Sequence, residues 1–473
     1  MIRNKEKIFF VGYILISIVA SLFLAKNDMI LLFVGVMIGI PIIIFCLKKP
    51  VRLIYFQIIY SLFIKFLISD IGVPNIANYV TDLINILLLF FAVRKYIMDK
   101  PKLNIRNIAI VVILMLIVSV FSFILNFSKI TLYVWALRNL YRFFAFMFSC
   151  IVLLKKEDLK TIFKIFEIVF WLNVILCTYQ KFILNLFQDF IAGFFGTISG
   201  GNAAMNMLMI IVFSEKAIKF VNKDCSLHNF IFYMTATAYI AAISELKVYY
   251  IEMLIIILIS VLISRKNIRT FIISIVSVLI LILTINILYT LYPGFRNFFN
   301  MEEILDYSSN GGYSNENDLN RFTAIQTLRD KYMEKNQMFL GIGTGNAEVS
   351  QFSAFCSNFY NQYYYLNYNW FSYAFIFLEN GYIGLALYML FFIVNIILMF
   401  KFMKKSEQKE YYILGIILNI ISLLLMVYNS SLRGDTAYIW FCALAFPYIY
   451  NKKEIKYNEE EQQHKSECYY SNL

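Results

Sequence analysis

The chain has 473 residues, 60% of them hydrophobic and 18% aromatic, with a mean hydropathy of +0.69. Soluble domains carry about 45–50% apolar residues, so a water-soluble globular fold is excluded and an integral membrane protein is expected. The net charge of +12 is no sign of nucleic-acid binding, because Lys and Arg of membrane proteins gather in loops on one side of the bilayer.

Apolar runs of spanning length are expected at residues 8–25, 29–47, 53–69, 79–93, 108–126, 132–154, 165–184, 203–214, 229–244, 248–264, 270–291, 371–400, 411–428 and 436–450. This is an all-α, polytopic membrane helix bundle of about fourteen transmembrane helices. The first run lacks a small-residue cleavage site and reads as a span, not a signal peptide. The intervals after even-numbered spans, with both termini, carry 29 of the 42 basic residues. That asymmetry puts both termini in the cytoplasm. The loops at 185–202, 245–247, 292–369 and 429–435 then face outward. The domain reading is eleven helices over 1–291, an external loop domain over 292–370 and three helices over 371–450. A polar tail over 451–473 is expected to be cytoplasmic and disordered.

Cysteine and histidine placement removes whole chemistries. Of seven cysteines, only Cys356 lies in the long loop, so no disulfide closes within it. His228 and His464 both fall on the cytoplasmic side, leaving an outward site without histidine. No zinc motif, Asp-x-Asp or Walker loop occurs, and no metal or cofactor is expected.

Arg138 and Arg142 fall inside the 132–154 span. Four residues apart, they share a helix face, and at ~1.5 Å per residue they lie roughly 9 and 15 Å from its outer end. A charge at the bilayer centre costs at least ~2.5–3.5 kcal/mol. The pair therefore calls for a polar cavity, an anionic ligand, a carboxylate on another helix, or snorkelling. The planar guanidinium fork suits phosphate, so both are candidate substrate-binding residues. Glu245 and Lys247 sit at the outer mouth of adjoining spans; as i, i+2 neighbours they need not face each other, and an ordinary polar turn is the plainer reading.

In the long loop, Leu319, Phe322, Ile325, Leu328 and Tyr332 recur at helical spacing. They predict an amphipathic helix over Asp318–Lys335, capped by Asn317 or Asp318, with Arg321 beside the stripe. Gly341-Ile-Gly-Thr-Gly345-Asn346 follows; alone, such a run is more often a turn than an anion nest, and Gly343 and Asn346 are its candidate substrate contacts. Eleven aromatic residues then crowd between Phe352 and Tyr373. Anchoring at the headgroup level and stacking on sugar rings are the two readings. Asn369 lies among them, Glu379 opens Glu-Asn-Gly-Tyr-Ile-Gly384 in the next span, and Arg433 stands in the last outer loop; Asn369 and Arg433 are further candidate substrate-binding residues.

The order of these parts resembles the O-antigen and capsule repeat-unit polymerases and their relatives, the O-antigen ligases. The matching elements are an Arg-bearing helix (Arg321), a GxGxGN turn (Gly341 to Asn346), a polar stretch (Tyr368 to Trp370) and an E-x-G-x-x-G entry to the next helix (Glu379 to Gly384). Ser244 with Lys247 stands for an earlier Ser-Arg-like pair, and Gly193 to Asn202 for a short glycine- and Asn-containing loop. The motif resemblance covers residues 193–385. It implies a GT-C-like, metal-independent glycosyltransferase whose donor is a growing glycan on undecaprenyl pyrophosphate. Its acceptor is the sugar hydroxyl of one lipid-linked repeat unit at the outer leaflet, and a flippase and a chain-length regulator are implied partners. Arg321 and Lys247, with Arg138 and Arg142, are then expected to stabilise the departing pyrophosphate, and Glu245 or Glu379 to deprotonate the acceptor. Two departures stand out. Ligases of this group use a His before the conserved Glu, absent here, and Lys247 occupies a usual Arg position without its bidentate fork. Both favour a polymerase over a ligase. A flippase for the same lipid-linked units is the non-enzymatic alternative, although matched halves of the kind found in transporters are not visible.

Overall fold

The computed structural model describes residues 45–263, 318–406 and 408–452, with single positions at 39, 279, 286 and 290. The described residues are helical, without a strand. In chain order the helices are α1 (Pro50–Ser69), α2 (Val80–Asp99), α3 (Arg106–Leu125), α4 (Ile130–Leu153), α5 (Lys156–Phe182), α6 (Gly201–Val221), α7 (Leu227–Ile243), α8 (Lys247–Ile263), α9 (Ala324–Lys331), α10 (Asn358–Tyr363), α11 (Ser372–Met403), α12 (Glu410–Tyr428) and α13 (Ala437–Asn451). Among the described residues, seven segments are long and apolar enough to cross a membrane: α1, the 3-10 turn at Asn75 continued by α2, α3, α4, α5, α11 and α12.

Each expected span within the described residues coincides with a helix. The runs 8–25, 29–47 and 270–291 lie wholly or almost wholly outside them, as do the first part of the long loop and the tail. Four boundaries differ from expectation. Helix α5 begins at Lys156, so the Lys156/Lys160/Lys164 cluster is helical and not a loop. Leu159, Ile162, Phe163 and Phe166 bury one face of that first stretch, and Asp158 Oδ2 accepts the Lys155 N–H at 2.7 Å to cap it. Helix α6 runs to Val221, well past the 203–214 run, because its polar Asn206, Ser214 and Glu215 are buried among helices instead of facing lipid. The amphipathic helix shrinks to α9. Residues 318–320 are drawn away, with Leu319 N–H donating to Leu366 O at 3.0 Å and Asn320 Oδ1 accepting from Phe322 N–H at 2.8 Å. Phe322 accordingly stands exposed, off the stripe. Finally, α11 is broken at Gly381.

The bundle is built on α13, buried over nearly its whole length. It packs against α4 and α12, α4 in turn against α2, and α11 against α3 and α12; α6 joins α8, α7 and α12. Two buried polar links tie the centre together, Trp440 Nε1–H to Ser422 Oγ at 2.9 Å and Tyr448 O–H to Asn395 Oδ1 at 2.5 Å. At one end Lys452 Nζ donates to the carbonyls of Ile151, Val152 and Leu154 at 2.9–3.3 Å. It thereby supplies the cation that a helix C-terminus favours. The alternating chain direction collects the C-termini of α1, α3, α7 and α12 and the N-termini of α2, α4, α8, α11 and α13 at the other end. The candidate site is there.

Candidate functional site

The site begins with the interruption of α11. Gly381 adopts φ 63° and ψ −165°, conformations closed to residues with a Cβ, and the helical ladder opens around it. The loop 338–347 closes the gap. Leu378 O accepts from Ile342 N–H at 2.8 Å, while Tyr382 and Ile383 N–H donate to Met338 O and Phe339 O at 3.0 and 3.2 Å. The two backbones touch: a Cβ on Gly341 would overlap the Glu379 carbonyl, and one on Gly381 would overlap that of Phe339. Helix α3 closes the other side of the loop. Ser122 Oγ contacts Leu340 O and Glu379 O at 2.6 and 2.8 Å and accepts Thr344 N–H at 3.1 Å. Asn126 Nδ2 reaches Gly341 O at 3.2 Å. Open backbone inside a membrane helix persists only where it is covered by protein or lines a cavity, and here the GxGxGN segment is the cover.

Glu379 is buried, 3% exposed, and its Oε1 accepts the backbone N–H groups of Gly345 and Ala347 at 3.0 and 3.2 Å. The next residue, Asn380, accepts from the Thr344 hydroxyl at 2.7 Å through Oδ1. The Glu-Asn-Gly run therefore grips the glycine loop. Asn346 donates back to Ile342 O at 2.8 Å to shape the turn, and Gly343 passes against Ser128 and Asn126. Gly343, Asn346 and Glu379 thus come together, as parts of one joint.

A row of alternating charges lies at the same end. Lys65 Nζ meets Asp435 Oδ2 at 3.0 Å, and Asp435 Oδ1 meets Arg142 Nη1 at 3.2 Å. Arg142 lies 3.9 Å from Asp82, which also pairs with Arg138. Arg138 donates to Asn139 Oδ1 at 2.5 Å, and Asn139 Nδ2 donates to Glu348 Oε2 at 2.7 Å. The two arginines of α4 therefore have carboxylate partners elsewhere in the bundle, Asp82 in α2 and Asp435 just ahead of α13. Arg142 is largely enclosed, its side chain 9% exposed, whereas those of Arg138 and Lys65 keep 24% and 32%. Both ends of the row are cationic and partly open. Burial works to raise the Asp435 carboxyl, but Lys65 and Arg142 outweigh it and hold the group below its ordinary range.

Two further arginines flank the first turn of α11. Arg433 lies over the Phe375 ring, 3.2 Å from its centroid, and its carbonyl accepts from Arg142 Nη2 at 3.2 Å. Burial lowers its guanidinium, eased by the charges of Glu348 and Glu379. Arg321 rests over Tyr428 at 4.2 Å and Phe371 at 5.9 Å, and its carbonyl accepts from the Tyr373 hydroxyl. Buried Glu348 has its carboxyl pushed up by burial, with Arg433 opposing. Asn369 is partly buried in the 3-10 turn Tyr368–Trp370.

Glu245 and Lys247 do face each other, Nζ to Oε1 at 3.1 Å; the positive φ of 55° at Glu245 folds the α7–α8 turn so tightly that i and i+2 meet. Asn202 Nδ2 donates to Ser244 O at 3.1 Å, and α6 packs beside the Ser431–Arg433 turn, which sets this pair at the same end. The loop aromatics mainly pack on one another and on the bundle. Phe355 stacks on Trp135 at 4.4 Å and Phe352 on Tyr79 at 5.6 Å, roofing Arg138, whose guanidinium lies 4.8 Å from the Trp135 ring. Tyr364, Tyr365 and Trp370 are left exposed.

Sequence reasoning named Arg138, Arg142, Arg321 and Arg433 and missed Lys65 and the counter-ions. Asp82 was visible as an acid inside an apolar run, and Glu348 as an acid three residues past Gly345. Among the described residues no group of three or more His, Cys, Asp and Glu side chains is placed to hold a metal ion. No protein-family model matches the chain, and no curated protein is significantly similar to it.

Proposed function

We propose that this protein is a polymerase of lipid-pyrophosphate-linked oligosaccharide repeat units, transferring a growing glycan to the hydroxyl of an incoming unit. The observation that carries this reading is the docking of the GxGxGN loop into the broken α11 at the same end as the cationic row. In the reaction the acceptor oxygen bonds to the anomeric carbon while the bond from that carbon to the pyrophosphate oxygen breaks. The electron pair leaves with the pyrophosphate, and the acceptor proton passes to a carboxylate. Preorganised cations that meet charge as it develops lower the barrier most. Arg138 and Lys65, at the two partly accessible ends of the row, and Arg321, beside the loop, are suited to that task, with Lys247 as the fourth cation. Glu245, accessible and paired with Lys247, is the better proton acceptor; Glu379, spent on loop amides, is a positioning residue.

The basic residues at the opposite end, among them Arg94, Lys95, Lys155, Lys156, Lys404 and Lys405, support an outward-facing site in a cytoplasmic membrane. Such a site works on flipped, lipid-linked substrates and needs no nucleotide-sugar. Cells lacking the protein are expected to accumulate single repeat units on the outer leaflet. Arg321→Ala should reproduce that profile at normal protein abundance; unchanged glycan length in this variant would overturn the assignment. The break in α11 favours one second reading, a transporter of the same units, since transporters place substrate at discontinuous helices. Repeat units trapped on the inner leaflet would select it, and long unattached lipid-linked chains would select a ligase.

A further inference from the structure

The end of the bundle opposite the candidate site holds a cavity of about 520 Å³ between α5, α6 and α12, with Lys160, Lys164, Glu167, Glu215, Lys219 and Glu410 in its walls. Its charges are not equally committed. Lys216 bridges Glu167 at 3.1 Å and Glu215 at 3.4 Å, and Lys219 takes the second Glu215 oxygen at 2.5 Å. Tyr233 donates its hydroxyl to Glu167 as well. Lys160 and Lys164, one turn apart on α5 and both exposed, have no carboxylate within salt-bridge distance among the described residues. Two adjacent cations are thus left at a cavity of mixed polar and apolar lining, with Glu410 the one lining carboxylate outside the ion-pair cluster.

The same face of α5 continues as an apolar strip. From Lys160 and Lys164 it passes through Ile168, Leu172 and Ile175, which are 50%, 46% and 67% exposed, at helical spacings of four, four and three residues. Cations at one end of an exposed apolar strip have the layout of an amphiphile, charged head at the boundary and chains along the helix. Basic pockets between membrane helices on the cytoplasmic side take phosphate headgroups.

We infer that this cavity is a binding site for the phosphate headgroup of an anionic membrane lipid, held by Lys160 and Lys164 with its acyl chains along the Ile168–Ile175 strip. The site is separate from the glycan-transfer end and does not rest on the function proposed for it. The full-length protein in nanodiscs of phosphatidylcholine with a minor share of phosphatidylglycerol tests it, with retained lipid counted by native mass spectrometry. Wild type should retain phosphatidylglycerol, and Lys160→Gln/Lys164→Gln should lose it by about 25-fold, or roughly fivefold per lysine near the surface. Lys160→Arg/Lys164→Arg should keep it. Lys404→Gln/Lys405→Gln, basic positions at the same end outside the cavity, should be without effect. An equal loss in that control, or retained phosphatidylglycerol in the Gln pair, overturns the site. Inorganic phosphate added to the detergent-solubilised protein separates the sources: lysine-dependent thermal stabilisation by phosphate alone, without lipid selectivity, would overturn the lipid assignment in favour of a soluble phosphate.

Discussion

Two polar assemblies stand side by side at the site end, and they keep polar groups among apolar helices in opposite ways. The joint between α11 and the 338–347 loop uses mostly neutral backbone, hydroxyl and amide groups joined by hydrogen bonds, with the Glu379 carboxylate accepting two loop amides. The row from Lys65 to Arg138 uses full charges of alternating sign. The fit of the first depends on the absence of two methyl groups. The second tolerates small displacements, because Coulomb attraction falls slowly with distance, and fails when one charge is removed. Shape governs one assembly and charge the other.

Substitution at the glycines breaks the comparison on the side of shape and should have the largest effect. Gly341→Ala and Gly381→Ala each drive a Cβ into facing backbone, so neither protein should accumulate in a folded, detergent-stable form by size-exclusion chromatography. On the side of charge, Asp435→Asn leaves Arg142 and Lys65 without their shared partner. Removing one member of a buried pair costs about 3–5 kcal/mol, read as a lowered thermal midpoint with the fold retained.

The acid limb of stability sharpens the same contrast. Asp435 is held below its ordinary value of 3.8, so its contribution is complete above that value and is lost as pH falls through the lower folded value. Glu348 has the opposite sign. Its carboxyl is raised from 4.5, so its contribution is complete below 4.5 and is lost as pH rises through the folded value. Thermal midpoints across pH 3–8 should show a flattened acid limb in Asp435→Asn and a gain on the alkaline side in Glu348→Gln. The smallest effect belongs to Glu245→Gln. That pair is solvent-accessible, and such bridges are worth about 0–1 kcal/mol, so its stability should hardly move while glycan transfer, if Glu245 takes the proton, should fall.

The helices were legible because a membrane demands long apolar runs, and α1 through α4 could be placed from composition alone. Charged helical ends were not: the first turns of α5 read as loop because Lys156, Lys160 and Lys164 outweigh the buried Leu159 and Ile162 in any running average. For the site, the sequence displayed both glycine motifs but not their contact, since Gly341 and Gly381 meet through backbone geometry that no side-chain pattern encodes. Arg138 and Arg142 announced themselves by the cost of burying charge. Their partners Asp82 and Asp435, 56 and 293 positions away, are brought near only by helix packing. Local periodicity likewise overstated α9, because it cannot register the tertiary pull of Leu366 on Leu319.

The break at Gly381 also ties the completion of α11 to distant parts of the chain. An uninterrupted helix enters a bilayer with its own backbone satisfied; α11 does not. Its carbonyl at Leu378 and amides at Tyr382 and Ile383 find partners only in the segment synthesised just before it. That segment in turn is fastened to Ser122 and Asn126, more than two hundred residues upstream. Without that packing, the Leu378 carbonyl and the Tyr382 and Ile383 amides would lack the partners that close the break. The joint is therefore complete only when three stretches far apart in the chain have come together.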